Sequence, residues 1–519
     1  MERVLAGWFA EGTSYLGTMW NNAGKGESEK FEEVASEASA AGAAQASSSS
    51  SSSSPRNPRA KSTDSAVSTA SASSRASNVS AASNRSGSSR FNKVVNWLAF
   101  GSKKALAKAG AGTAVSNASN QVATKKSALD ILMATKGGNG FRDPADPAAL
   151  QAVSVIGRGG YGKVMLMRNK TTGRLIAVKE VAKSNLIDKP GSTRGVRPVS
   201  TKVEHAEMEN LVLHTVGEHP FVTSFHGSFQ NKDKIFMFLE YAPGGELFQH
   251  MQRQGVFSES RTRMYVAEIT SALAFLHENG IVYRDLKPEN VLLDSKGHLR
   301  LTDFGLSIQF NKCGDDNLMR CYSICGTPEY ISPELILCAT TKKNDRNATY
   351  GKTVDWWALG ILMYEMLYRV PPFYSRERKA MLNKILACEL QFPKTPAKLK
   401  PVSQDAMDFI AALLKYEERD RLGYGNEGSA NVMAHAFFDG LDWDKLSSHE
   451  YEPEFVPALA NTVDTSNFDG AFTNELLRVD PCSSCAFNLE LTGFGFLPED
   501  FAEETWFERP STDAKSLRL

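Results

Sequence analysis

Apolar positions along this chain follow two regimes that change near residue 141. Beyond that point apolar and aromatic residues are dense, and turn residues punctuate regular runs. The stretch Val153–Val164 reads as strand, tight turn, strand, because glycines at 157, 159, 160 and 162 interrupt it. The run Ile176-Ala177-Val178-Lys179 predicts the next strand, and Val203–Leu213 a helix. Two further strands are expected near Phe221–Phe229 and Lys234–Leu239, after which the pattern turns helical. Arg261–Asn279 has apolar residues at helical spacing, and Thr353–Arg369 is apolar almost throughout, as a buried central helix would be.

Before residue 141 the regularity is lost. Residues 41–90 contain 20 serines in 50 positions, with an unbroken run from Ser47 to Ser54. So little apolar surface cannot offset the entropy of ordering, so disorder is expected there. The formal net charge of zero hides an asymmetry: residues 1–140 carry 16 Lys+Arg against 9 Asp+Glu, which leaves 43 against 50 for 141–519. Charge thus runs from +7 in the first part to −7 in the second. Between 41 and 128 there are 12 basic residues and one acid, Asp64. Phe91–Phe100 with Lys103, Lys104 and Lys108 is basic and amphipathic, so peripheral contact with an anionic membrane through residues 1–110 is open. Nucleic-acid binding is disfavoured, since no folded motif or aromatic interleaving accompanies the charge.

Seven cysteines without a secretory signal favour a reducing compartment, and no apolar run approaches the ~18 residues that cross a bilayer. A soluble, cytoplasmic protein is expected, with nuclear or peripheral membrane placement left open. Cys482 and Cys485 form a lone CxxC with no second pair, so incidental thiols are preferred to a zinc site.

The chemistry is concentrated in two motifs. Tyr283-Arg284-Asp285-Leu286-Lys287-Pro288-Glu289-Asn290 is followed thirteen residues later by Asp303-Phe304-Gly305. Upstream stand Gly157-x-Gly159-x-x-Gly162 and Lys179. A lone glycine pattern would be an ordinary flexible hairpin; its order relative to the other two motifs makes it informative. A lysine facing a dry cleft needs a carboxylate partner from the following helix. Glu209 is preferred, Glu204 is the weaker competitor, and Glu207 lies about 200° around the helix from Glu209.

These residues resemble the eukaryotic protein kinases, and the flanks narrow the resemblance to the AGC group of serine/threonine kinases. Tyr283 before Arg-Asp, Pro243-Gly244-Gly245-Glu246, Cys325-Gly326-Thr327-Pro-Glu-Tyr and Val354-Asp355-Trp-Trp-Ala-Leu-Gly360 all carry it. Lys287, two residues past Asp285, is the serine/threonine form. The resemblance implies an α+β, bilobal fold with a β-rich small lobe and a helical large lobe. Its divisions are 1–140 as a basic Ser-rich region, 153–438 as the catalytic domain and 439–519 as a C-terminal tail. It also implies ATP and Mg²⁺ as the species bound. Gly157, Gly159 and Gly162 would let backbone N–H groups approach phosphates, Val164 would cover adenine, and Lys179 would reach the α- and β-phosphates. Glu240 and Ala242 would bond adenine through their backbone, beside Leu239, and Phe468 would lie against the adenine pocket. Asp285 would orient the hydroxyl, Lys287 would stabilise transferring charge, and Asn290 with Asp303 would hold the metal. A pseudokinase is the rival of another class; its usual defects, at the Lys, catalytic Asp or metal Asp, do not occur here. A third reading makes the basic N-terminal region the principal function, as an anchor.

Glu246, Glu289 and Glu365 match positions that bind substrate arginines in basophilic relatives, so protein substrates with basic residues before Ser/Thr are expected. Ser323 occupies the activation-loop phosphosite, which implies an upstream kinase, with Arg284 and His205 as the phosphate's partners. Ile308 stands where several relatives place a basic residue that helps bind this phosphate. Leu491–Phe496 resembles the hydrophobic motif that docks on the small lobe, with Gly495 where a phosphorylated residue is usual. Glu334 is expected to pair with Arg421.

Overall fold

A computed structural model describes residues 149–159, 162–187, 201–310, 320–321, 325–340, 349–393, 401–478 and 489–496. Its first layer is a six-stranded sheet in the order β1-β2-β3-β5-β4-β11. The strands are β1 (Leu150–Arg158), β2 (Gly162–Asn169), β3 (Leu175–Ala182), β4 (Phe225–Gln230), β5 (Lys234–Glu240) and, from the far end of the chain, β11 (Gly495–Phe496). Neighbours pair antiparallel except β11, which lies parallel to β4.

Side chains alternate across this sheet with the period of two that extended backbone imposes. Met165, Met167, Ile176, Val178, Phe236 and Phe238 pack together on one face. Leu166, Ala177, Val181, Ile235, Met237 and Leu239 join the larger core on the other. Lys179, two residues from Ala177 and paired in register with Met237, therefore faces the interior between the lobes. Helix α1 (Thr201–Val216) covers that side.

The large lobe is built from α2 (Leu247–Gln254), α3 (Glu259–Glu278), α4 (Pro333–Thr340), α5 (Thr353–Tyr368), α6 (Arg378–Ala387), α7 (Gln404–Leu413), α8 (Gly428–Met433) and α9 (Trp443–Ser447). Ser258 starts α3 by accepting the Arg261 N–H on its side chain. Every residue of α5 from Thr353 to Leu367 is buried. Arg421 holds Glu334 of α4 with a bidentate pair at 2.5 and 2.9 Å. Short strands β6 (Gly245–Glu246), β8 (Val291–Leu293) and β9 (Leu299–Leu301) form one small sheet, and β7 (Ile281–Val282) pairs with β10 (Ile308–Gln309).

The start of β4 differs from the sequence reading. β4 starts at Phe225, because residues 221–223 pair with β9 instead: Leu301 N–H donates to the Phe221 carbonyl and Thr223 N–H to that of Leu301. The small lobe also gains a strand from the tail, which local periodicity could not supply. Helix α10 (Gly470–Thr473) belongs to that tail.

Candidate active site

The β8–β9 hairpin brings the two motifs together. Val291 pairs with Leu301, and Thr302 N–H donates to the Asn290 carbonyl at 3.0 Å, so the loop before β8 and the residues after β9 leave at the same end. Asp355, on the apolar helix α5, fixes the loop from below. Its carboxylate accepts the Tyr283 N–H at 2.9 Å and the Arg284 N–H at 2.7 Å, and His277 Nε2 lies 2.7 Å away. The sequence presents Asp355 as part of a motif; an acid in the first turn of a largely apolar helix, which holds Glu365 as its one other acid, is the available signal. Arg284 and Asp303 both take left-handed backbone, at φ 66° and 57°. Non-glycine residues in this region are uncommon and cluster where a site constrains the chain.

Lys179 Nζ lies 2.6 Å from Glu209 Oε1 and 3.1 Å from Asp303 Oδ1. Glu207, on another side of α1, accepts the Thr492 N–H of the tail instead. Burial disfavours charge on Lys179, but Asp303 and Glu209 outweigh it and hold its pKa above the ordinary lysine value. Lys179 in turn holds Asp303 below the usual carboxylate range, which keeps it ionised. Burial pushes Glu209 upward, against the pull of Lys179.

Asp285 Oδ2 accepts from Lys287 Nζ at 2.9 Å and from Asn290 Nδ2 at 2.8 Å. Its other oxygen is 3.4 Å from the Thr327 hydroxyl. Burial raises the Asp285 carboxyl, and Lys287 opposes the shift. Phe304 is buried against Tyr283, with ring centroids 5.4 Å apart.

Gly159 and Gly162 close the β1–β2 hairpin through a 2.9 Å backbone bond. The three glycines do not share one cause. A Cβ on Gly162 would meet the Glu180 carbonyl oxygen of β3 at 1.8 Å, whereas Gly159 has nothing within 4 Å. Gly162 is therefore required by packing onto β3, whereas the space beside Gly159 is open. Val164 pairs with Gly157 above the cleft. At the hinge, Glu240 ends β5 and Ala242 is buried. Phe468 stacks on Tyr241 at 5.9 Å, and the Tyr241 hydroxyl donates to the Asp464 carbonyl at 2.9 Å.

Among the described residues no group of three acidic, His or Cys side chains could hold a metal by itself. Asp303, ionised and half-exposed, follows Thr302, whose N–H holds the Asn290 carbonyl, and a carboxylate with an amide oxygen suits a hard cation that takes its remaining oxygens from phosphate. These residues fit Mg²⁺ bound together with a nucleotide.

The family model for the protein kinase domain matches residues 150–438. The chain belongs to the protein kinase family. It is 41% identical over 343 residues to the serine/threonine-protein kinase sgk-1 of Caenorhabditis elegans, covering 66% of each chain. It is 39% identical over 328 residues to the serine/threonine-protein kinase gad8 of Schizosaccharomyces pombe, covering 63% of this chain and 52% of the relative. The human RAC-beta serine/threonine-protein kinase is 39% identical over 329 residues, at 63% and 62%. These relatives are AGC kinases. The chain spans about half to two thirds of their length.

In this kinase the three acids singled out for substrate differ in placement. Glu246 and Glu289 are half-buried at the cleft, and burial pushes each up to about 7, against the opposing pull of Lys287. Glu365 lies deeper, inside α5, and accepts a short bond from the Tyr330 hydroxyl. Ser323 lies outside the described residues, as do the segments before 149 and the Cys482–Cys485 pair. Of its expected partners, His205 is held below the usual histidine pKa by burial and by nearby Arg284, and its Nδ1 is buried with no partner among the described residues. No helix among them is long and apolar enough to cross a membrane.

Proposed function

We propose that this protein transfers the γ-phosphoryl group of ATP to Ser/Thr hydroxyls in protein segments with arginine before the acceptor. The observation that carries this is Lys179 held between Glu209 and Asp303, at 2.6 and 3.1 Å, beside an Asp285 braced by Lys287 and Asn290. Glu209 fixes the ammonium of Lys179, which neutralises α- and β-phosphate charge. Backbone groups of Glu240 and Ala242 orient adenine, covered by Val164 above and flanked by Phe468. Asp303 and Asn290 would hold Mg²⁺, which supplies charge neutralisation across the phosphates when bound. Asp285 accepts the hydroxyl's hydrogen bond and aims its oxygen in line, while Lys287 steadies charge on the transferring group.

Glu246 and Glu289 support arginine preference, since paired guanidinium–carboxylate contacts give geometric selection as well as energy. A guanidinium reaching Glu365 would have to join or displace the Tyr330 hydroxyl. Activation by phosphate on Ser323 belongs to the same reading. Arg284 offers charge and His205 an unsatisfied ring nitrogen, and protonation of that ring would be favoured once a dianion stands beside it.

The test is Asp285→Asn in the full chain. Turnover of an Arg-x-x-Ser peptide should fall about 10²- to 10⁴-fold, the usual worth of a positioned acid–base group. Mg·ATP binding by calorimetry should persist. Undiminished turnover, or equal rates on an arginine-free peptide with the native enzyme, would end the proposal.

A further inference from the structure

The cleft collects more carboxylates than phosphoryl transfer uses. Glu246 ends β6, Glu289 precedes β8, and Glu329 stands two residues past Thr327, whose hydroxyl faces Asp285. Three separate segments thus bring an acid toward one place. The cation whose field reaches all three is Lys287, which is already bonded to Asp285 at 2.9 Å. Asp469 of the tail adds a further like charge beside Glu246. Glu329 is only 4% exposed. Its Oε2 and that of Glu289 are both buried with no hydrogen-bond partner among the described residues. A buried carboxylate oxygen left without a donor is destabilising, so these two oxygens mark places that an arriving cation completes.

The chain itself carries a segment of matching charge. Arginines spaced by three occur twice in the sequence, at 56 and 59 and at 194 and 197, and a serine stands three residues after each pair. The first set, Arg56-Asn-Pro-Arg59-Ala-Lys61-Ser62, lies before the catalytic domain and holds a third cation in Lys61. Serine is abundant between 41 and 90, so serine alone selects nothing there. Ser62 is set apart by arginine both three and six residues before it, whereas Ser88 has only Arg85, three before. Residues three apart on extended chain stand about 10 Å apart, so two guanidiniums meet different carboxylates and do not compete for one. Reach is no obstacle, since roughly 90 residues separate Ser62 from β1 and each can span ~3.3 Å.

We propose that Arg56–Ser62 is a substrate of the cleft in its own chain, with Ser62 as the acceptor. Arg59 and Arg56 pair with separate carboxylates, which sets the Ser62 hydroxyl at Asp285. The Ser62 oxygen bonds to the γ-phosphorus as the bond from that phosphorus to the β,γ-bridging oxygen breaks. ADP leaves, and the hydroxyl proton passes to Asp285. Before transfer the segment competes with any outside basic peptide. Afterwards its phosphate brings about −1.5 to −2 charges against the same carboxylates, which expels it. The inference rests on the kinase reading above and deepens it by naming a substrate.

The experiment takes the full chain, first dephosphorylated, adds Mg·ATP, and follows Ser62 and Ser88 by mass spectrometry. Turnover of an outside Arg-x-x-Ser peptide is measured beside it. Ser62 should gain phosphate at a rate per molecule that a tenfold dilution of the protein leaves unchanged, because donor site and acceptor share one chain. Ser88 should lag behind it. The double variant Arg56→Ala/Arg59→Ala should slow Ser62 at least about tenfold, with outside peptide turned over at least as fast as before. An unmodified Ser62 in a chain that turns over outside peptide overturns the proposal and leaves the kinase reading standing. So does a Ser62 rate per molecule that falls in proportion to dilution, which is transfer between copies. Ser88 modified as fast as Ser62, or the double variant modified at the native rate, overturns it as well. A native chain that turns over no peptide removes both readings.

Discussion

At the scale of single residues, the informative comparison is between carboxylates that share the cleft under different fields. Asp303 is kept ionised by Lys179 at 3.1 Å, so nothing about it titrates near neutrality. Glu246 and Glu289 each lie near 7, mainly because burial penalises their charge. The sign follows directly. A raised carboxyl is charged above about pH 7 and neutral below it, and only the charged form attracts a guanidinium. Between pH 8 and 6, a single site with this pKa should raise KM for an arginine peptide about tenfold. The two interact, so their protons leave in coupled steps that belong to the pair. KM for an alanine-substituted peptide, and for ATP, should stay nearly flat over the same window. A flat arginine-peptide profile would remove these two acids from substrate recognition. Much of this chemistry could be read from the chain, because helix periodicity alone separates Glu209, which reaches Lys179, from Glu207, which meets Thr492. What could not be read were contacts set by tertiary position. Asp355 bonding the backbone of Tyr283 and Arg284 is one. The close packing of Gly162 on the Glu180 carbonyl of β3 is another.

At the scale of elements, the tail strand β11 shows both the reach and the limit of sequence. The aromatic-rich run at 491–496 suggests docking on the small lobe, but not that it extends the sheet or which group receives it. Buried Gln230 does the receiving. Its Nε2 donates to the carbonyls of Leu491 and Phe494 at 2.9 and 3.1 Å, and its Oε1 accepts from Leu491 N–H and Lys183 Nζ, both at 3.0 Å. Lys183 also reaches the Leu489 carbonyl at 2.6 Å. These bonds read backbone, so they need no phosphate, and Gly495 has no hydroxyl to modify. A Cβ there would press on Phe229 at 3.3 Å. Gln230→Ala should strand several buried polar groups, costing about 1–3 kcal/mol locally. Because α1 carries both Glu207 and Glu209, the loosened tail should reach the catalytic lysine. The expected result is a fall in kcat/KM of at least about fivefold, with faster amide exchange along Thr201–Val216. Unaltered exchange and rate would mean that β11 is packing alone. The sequence was mute on Gln230 because the partners are separated by more than 260 positions. Local patterning carries no signal over such a distance.

At the scale of the whole molecule, the folded unit closes on itself. Its tail touches the hinge, the glycine-rich hairpin and the sheet edge in turn. The charge division then becomes a kinetic quantity. Residues 141–519 carry −7 and residues 1–140 carry +7, so the full chain presents an acidic domain with a covalently attached basic competitor. Long-range attraction for a basic peptide depends on the net field, which salt screens beyond roughly 10 Å at ~0.1 M. Removing residues 1–140 should therefore leave kcat within about twofold and raise kcat/KM for an arginine peptide a few-fold at low salt. That gain should vanish near ~0.5 M salt, where screening shortens the field to a few ångströms. If the basic region also meets anionic membrane, vesicles rich in acidic lipid should sediment the full chain and leave the shortened one in solution. Loss of kcat on truncation would overturn this division, since it would place part of the catalytic machinery in a segment that composition marks as a solvated, charged arm.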